Sequence, residues 1–233
     1  MINKIILGIA TVFLSLLVVL IINTPTSSMA LPSFTNTPPV EQTPSTDILV
    51  EQARLLKRAE RPTAALFLLE QVILNPSSDE ADLYRAYFLR GQLYQEQAQY
   101  ELAIRDYSEA ITLQPNLSEV YAFRATAFFA IADYEAAIAD YDLAIEKDPS
   151  EPSYYVARGI LHAQKKDYEI AIDDFTTALA IDDTLAVAYR ERGLAAYAID
   201  QISLATTDLQ QYLRLSPNAP DREQIEAILK NLE

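Results

Sequence analysis

Tyr121-Ala122-Phe123-Arg124-Ala125, running on to Tyr141-Asp142-Leu143-Ala144, decides the fold, because its marked residues return 34 positions earlier and later. Tyr87, Tyr121, Tyr155 and Tyr189 share one place in the period. Arg90, Arg124, Arg158 and Arg192 share a second, and Gly91, Ala125, Gly159 and Gly193 a third. The back half carries Ala103, Ala137, Ala171 and Ala205, then Asp106, Asp140, Asp174 and Asp208, then Tyr107, Tyr141, Phe175 and Leu209. Pro115, Pro149 and Pro217 close their units, and Asp183 takes that place once. A period of this length means a solenoid, since one unit is too small to bury its own apolar face and must stack on its neighbours.

The pattern resembles the tetratricopeptide repeat, a helix-turn-helix unit with an early aromatic, a small residue four places on, then Ala, an aromatic, Ala and Pro. Four units fit in register from Tyr84 to Ala219, and a degenerate fifth lies on Ser45 to Ser78 through Ala64, Leu68 and Pro76. Five extra residues, Asp79 to Leu83, separate the two blocks and either extend the next helix by a turn or loosen the junction. The resemblance implies an all-α, right-handed superhelical solenoid with units 45–78, 84–117, 118–151, 152–185 and 186–219, and a cap over 220–233.

Each unit is expected to hold two helices of about 12 to 14 residues, roughly 20 Å long. Asp133 and Asp167 stand where they cap second helices, Glu101, Glu135 and Glu169 sit in the positive first turn, and the closing prolines forbid continuation. After Pro220, Ile225, Ile228, Leu229 and Leu232 form one stripe over Asp221 to Leu232, a helix able to cover the apolar end of the last pair.

The N-terminal region reads differently. Lys4 precedes Ile5 to Ile22, an uncharged run whose only polar side chains are Thr11 and Ser15, as in an export signal. Its length reaches a membrane span, while Ser28-Met29-Ala30 offers small residues for cleavage after Ala30. A signal peptide and a retained membrane anchor both remain open for 1–30. Either sends the rest of the chain across the membrane, to periplasm, lumen or exterior, because the next basic residue is Arg54. Leu31 to Thr46, with Pro32, Pro38, Pro39 and Pro44 among Ser, Thr and Asn, reads as a linker.

Several functions are excluded. A net charge of −15 repels phosphate backbones and anionic lipid, so nucleic-acid binding is not expected, and membrane contact is expected only through the N-terminal segment. Without cysteine there are no disulfides or thiolate metal sites. The repeat uses every glycine except Gly8 for helix packing, leaving none for a phosphate loop. His162 alone makes neither a triad nor a zinc site, and the neighbouring acids Asp173-Asp174 and Asp182-Asp183 diverge. No catalytic residue, cofactor or metal is therefore assigned, and the chain is read as a non-enzyme. The Arg and Asp ladders are expected to pair within or between units, for instance Arg124 with Asp140 or Asp106, because a partly desolvated arginine must be paired.

The resemblance further implies a concave channel lined by the first helices. In the second unit its residues are Arg85, Phe88, Gln92 and Gln95; in the third, Glu119, Ala122, Thr126 and Phe129. The same register gives Ser153, Val156, Ile160 and Ala163, then Val187, Arg190, Leu194 and Tyr197. Chaperone-binding members of the family hold a C-terminal carboxylate with Lys and Asn at places that here carry Phe88, Gln92, Ala122 and Thr126, so that clamp is absent. The expected function is a scaffold or assembly factor holding a protein or peptide with apolar side chains. The alternative is self-assembly into a homo-oligomer of the cell envelope.

Overall fold

A computed structural model describes residues 44–232, and these form paired helices in sequence order, with no strand among the described residues. The expected signal peptide or anchor over 1–30, and the expected linker up to residue 43, lie outside the described residues. The pairs are α1 (Thr46–Arg58) with α2 (Pro62–Leu74), α3 (Glu80–Glu96) with α4 (Tyr100–Leu113), and α5 (Ser118–Ala130) with α6 (Tyr134–Lys147). They continue as α7 (Pro152–Gln164) with α8 (Tyr168–Ile181) and α9 (Ala186–Ala198) with α10 (Ile202–Leu215), closed by α11 (Arg222–Asn231). Each helix packs chiefly on its neighbours in sequence, which makes the described chain an all-α solenoid. No helix among the described residues is long and apolar enough to cross a membrane.

The extra residues before the second unit lengthen a helix. α3 has 17 residues where α5, α7 and α9 have 13 each. Asp79 caps the added turn by accepting from the Asp82 N–H at 2.8 Å, and the Thr46 hydroxyl donates to the buried Asp82 carboxylate at 2.6 Å. The inserted length is one turn of helix, four residues rather than five. Accordingly Ala65 and Leu69, both fully buried, take the places of Ala103 and Tyr107, and the Ala64 and Leu68 alignment shifts by one.

Within each pair the turn is tight. Glu60, Ala98, Ala132, Lys166 and Asp200 adopt φ between 56° and 68°, and the next N–H returns to the helix, as from Asp133 to Phe128 O at 3.0 Å. None of these residues is glycine. The left-handed conformation costs an L residue about 1–2 kcal/mol, partly offset against glycine's freer unfolded chain, about 0.4–1 kcal/mol. Ala132→Gly is therefore expected to raise stability by about 0.5–1 kcal/mol, read as a higher urea midpoint; an unchanged midpoint would refute it. Asp133 caps α6 through the Ala136 N–H at 3.2 Å, but Asp167 makes no such bond to α8. Its carboxylate lies 3.8 Å from Nδ1 of His162 instead.

The small residues admit large side chains, rings in two units and a leucine in the fifth. A Cβ added to Gly91 would lie 2.7 Å from the Tyr107 ring, one on Gly159 2.7 Å from Phe175, and one on Gly193 2.9 Å from Leu209. The closest partner of each glycine is thus the large side chain one turn beyond Ala103, Ala171 or Ala205. In the third unit Ala125 clusters with Tyr141.

The Arg and Asp ladders close within each unit. Arg90–Asp106, Arg124–Asp140, Arg158–Asp174 and Arg192–Asp208 are two-point pairs with distances of 2.6 to 3.1 Å. All four carboxylates are at most 4% exposed. Each guanidinium also stacks 5.6 to 5.8 Å from the ring of the tyrosine three places before it. Three arginines spend a further donor on the preceding unit, reaching Ser108, Asp142 and Thr176 at 3.0, 2.6 and 3.0 Å. One side chain thus joins two helices of its own pair to the pair before it.

Candidate functional site

The first helices of the middle units leave a trough, and three cavities run along it. The largest, about 590 Å³, is lined by Glu119, Ala122, Phe123, Thr126, Tyr141, Glu151, Ser153, Tyr154 and Ala157. A second of about 570 Å³ shares Phe123 and Thr126 with it and adds Gln92, Gln95, Phe129, Tyr100, Tyr107, Lys57 and Glu96. A third of about 110 Å³, lined by Phe129, Ile160, Leu161, Tyr141 and Ala157, touches both. Shared walls make them one continuous surface over α3, α5 and α7.

Of the residues assigned from the sequence, Gln92, Gln95, Glu119, Ala122, Thr126, Phe129, Ser153 and Ile160 line this surface. Others do not. Phe88 sits in an aromatic cluster, its ring 5.2 Å from Phe123, 5.9 Å from Tyr84 and 6.0 Å from Tyr107. Val156 is 8% exposed and packs with Ala171 and Phe175, and Ala163 packs against the same cluster. Arg85 is turned to Asp82 at 3.2 Å. Val187 and Tyr197 are exposed but line none of these cavities.

The fifth unit is closed by the chain itself. Arg190 pairs with Glu191 and, at 2.5 Å, with Asp221, while the Tyr212 hydroxyl donates to Asp221 at 2.6 Å. Leu194 packs against the cluster that Ile225 of α11 forms with Leu209 and Tyr212. Arg190 and Leu194 are therefore fastenings of the cap, not groove residues. The Tyr212 hydroxyl first, and the Arg190 guanidinium with it, hold the Asp221 carboxyl below its ordinary value.

Sequence reasoning missed residues supplied by second helices. Tyr107 and Tyr141 pass beside Gly91 and Ala125 to reach the trough, where the Tyr107 hydroxyl donates to Gln95 Oε1 at 2.9 Å and that of Tyr141 lies 3.4 Å from Thr126 Oγ1. Burial pushes both hydroxyls above their ordinary range, so they stay protonated and can donate. The visible signal was a hydroxylated ring in the second and third units where the fourth and fifth have Phe175 and Leu209. Lys57 closes one end, donating to Gln92 Oε1 at 2.6 Å and pairing with Glu96 at 3.1 Å. Among the described residues no group of three or more acidic, histidine or cysteine side chains is placed to hold a metal.

Three tetratricopeptide repeat models match the sequence, over 84–117, 124–186 and 184–230. The chain is a tetratricopeptide repeat protein. Among solved structures, this repeat protein is similar to MamA, with a TM-score of 0.66 at 18% identity over 77% of this chain and 94% of that one. MamA from Desulfovibrio magneticus RS-1, residue 41 to its end, aligns with a TM-score of 0.66 at 16% identity, covering 75% and 97%. YrrB, described as a TPR protein with an unusual peptide-binding site, aligns with a TM-score of 0.68 at 16% identity, covering 78% and 92%. At such identities the likeness is one of fold. No curated protein matches the sequence of this tetratricopeptide repeat protein.

Proposed function

We propose that the protein is a non-enzymatic scaffold or assembly factor that holds a segment of a partner protein in the trough over α3, α5 and α7, outside the cytoplasm. The carrying observation is that continuous trough, open in the middle units and closed by the cap at the fifth. Its walls mix rings and aliphatic carbons with a few hydroxyl, amide and carboxylate groups, the composition that seats an extended or helical peptide. YrrB's peptide-binding site lends the reading support by analogy of fold. The placement outside the cytoplasm rests on the uncharged run from Ile5 to Ile22 and the lone Lys4 before it.

A Thr126→Glu, Phe129→Glu variant tests the trough, because both residues are exposed and their replacement spares the core. Crosslinking and recovery from membrane and extracytoplasmic fractions are expected to yield a partner with the wild type and to lose it with the variant. Equal recovery by both would overturn the reading.

Self-assembly has one observation in its favour. Ile48 and Leu55 of α1, and Phe67 and Leu74 of α2, are 46 to 73% exposed on the first pair, which no described helix covers on its outer side. Light scattering at several concentrations separates the readings: a mass rising with concentration, and falling again in Phe67→Glu, Leu74→Glu, would favour assembly.

A further inference from the structure

The largest cavity differs from its neighbours in charge. Its only charged lining residues are Glu119 and Glu151. Neither forms an ion pair among the described residues, whereas Glu96 in the adjoining cavity is answered by Lys57 at 3.1 Å. Glu151 accepts from the Ser153 N–H at 3.1 Å, which fixes its carboxylate at the rim and leaves an oxygen to spare. The same cavity is walled by the rings of Phe123, Tyr141 and Tyr154, the last anchored by its hydroxyl to Ser118 Oγ at 3.2 Å.

This combination discriminates among guests. A carboxylate of the guest would face two like charges and the negative faces of the rings. An aliphatic side chain would strip water from both carboxylates without replacing its hydrogen bonds. A lysine ammonium or arginine guanidinium satisfies both, with charge-assisted hydrogen bonds at the rim and cation–π attraction below. The smallest cavity shares Tyr141 and Ala157 with this one and is otherwise closed by Phe129, Ile160 and Leu161, so the next position suits an aliphatic side chain.

Resting on the trough reading above, we propose that the partner is a cationic segment, whose lysine or arginine enters between Glu119 and Glu151 while a neighbouring aliphatic side chain fills the cleft at Ile160. The binding face is thereby acidic and aromatic over the third and fourth units and apolar beside them.

The test uses the full chain and three labelled dodecapeptides built from Lys-Ala-Leu, Gln-Ala-Leu or Glu-Ala-Leu triplets, followed by fluorescence anisotropy at physiological salt. The lysine peptide is expected to bind tightest, and Glu119→Gln, Glu151→Gln to weaken it by about tenfold, the worth of two partly exposed charge pairs. The same variant should leave the glutamine peptide unchanged. Glu70→Gln, Glu223→Gln removes as much charge from exposed positions on α2 and α11, and it should weaken the lysine peptide far less. Equal loss in that control would overturn the proposal by showing attraction to net charge alone. Undiminished binding in the Glu119, Glu151 variant, or glutamine and lysine peptides binding alike, would overturn the cationic guest and leave the trough standing. Binding of no peptide would sink the trough reading itself.

Discussion

Arg158→Ala is expected to lower the unfolding free energy by about 3–5 kcal/mol, the usual cost of stranding one partner of a buried ion pair. Three contacts are lost together: the two-point grip on Asp174 at 3.1 and 2.6 Å, the bond to Asp142 at 2.6 Å, and the stack on Tyr155 at 5.8 Å. Asp174 is 4% exposed, so its carboxylate stays desolvated with no counter-charge. The Asp174 pair holds α7 to α8, while Asp142 lies on α6, so the substitution weakens the junction between pairs as well as the pair itself. Arg158→Lys should recover little, because one ammonium cannot reproduce the planar fork. Arg158→Ala with Asp174→Ala should be less damaging than the single change, since no charge is left buried. Urea unfolding followed by circular dichroism reads all three. A midpoint that does not move in Arg158→Ala would show the ladder to be solvated and the accounting wrong.

Phe175→Ala belongs on the same scale, with an expected loss of about 3–5 kcal/mol, as for other buried phenylalanines. The ring is fully buried, and its edge lies 2.7 to 3.1 Å from where a Cβ on Gly159 would stand. Glycine there exists to admit the ring, so removing the ring leaves a void beside Gly159, which has no side chain to fill it. The contrast is Phe129, 40% exposed at the trough, whose replacement by alanine should cost much less stability. Thermal melts of the two variants give the comparison; equal losses would mean that the core and the trough had been misassigned.

The two substitutions separate what could be read along the chain from what could not. Repetition at 34 residues marks a structural unit wherever it occurs, because each copy must solve the same packing problem: a ring, a facing small residue, and an arginine whose charge needs an acid. The second helices α4, α6, α8 and α10 span Tyr100–Leu113, Tyr134–Lys147, Tyr168–Ile181 and Ile202–Leu215, each stopping just short of the Pro115, Pro149, Asp183 or Pro217 that closes its unit. The pairing of Arg with Asp followed from desolvation alone, although which unit supplied the acid did not.

The groove was less legible. Periodicity says which residues are equivalent, but equivalent places need not have equivalent neighbours once the pairs are stacked. Val156 shares its place with Ala122, yet it fills space beside Phe175 that the smaller residue leaves open. Phe88 is drawn into contact with Phe123 of the next pair, and Arg190 and Leu194 are claimed by α11, which folds back from beyond the last repeat. Conversely, Tyr107 and Tyr141 reach the trough from second helices, because Gly91 and Ala125 let a ring pass.

The sequence by itself determined the helical pairs, their order, the need of each ladder arginine for an acid and the acidic balance of the whole, since each depends on residue types at fixed separations along one chain. Only the tertiary structure decided which side chains face the open trough, where that trough ends and where two carboxylates and three rings line one cavity. Those properties arise from contacts between pairs, and contacts between pairs depend on the size of every side chain at the junction, which no period records.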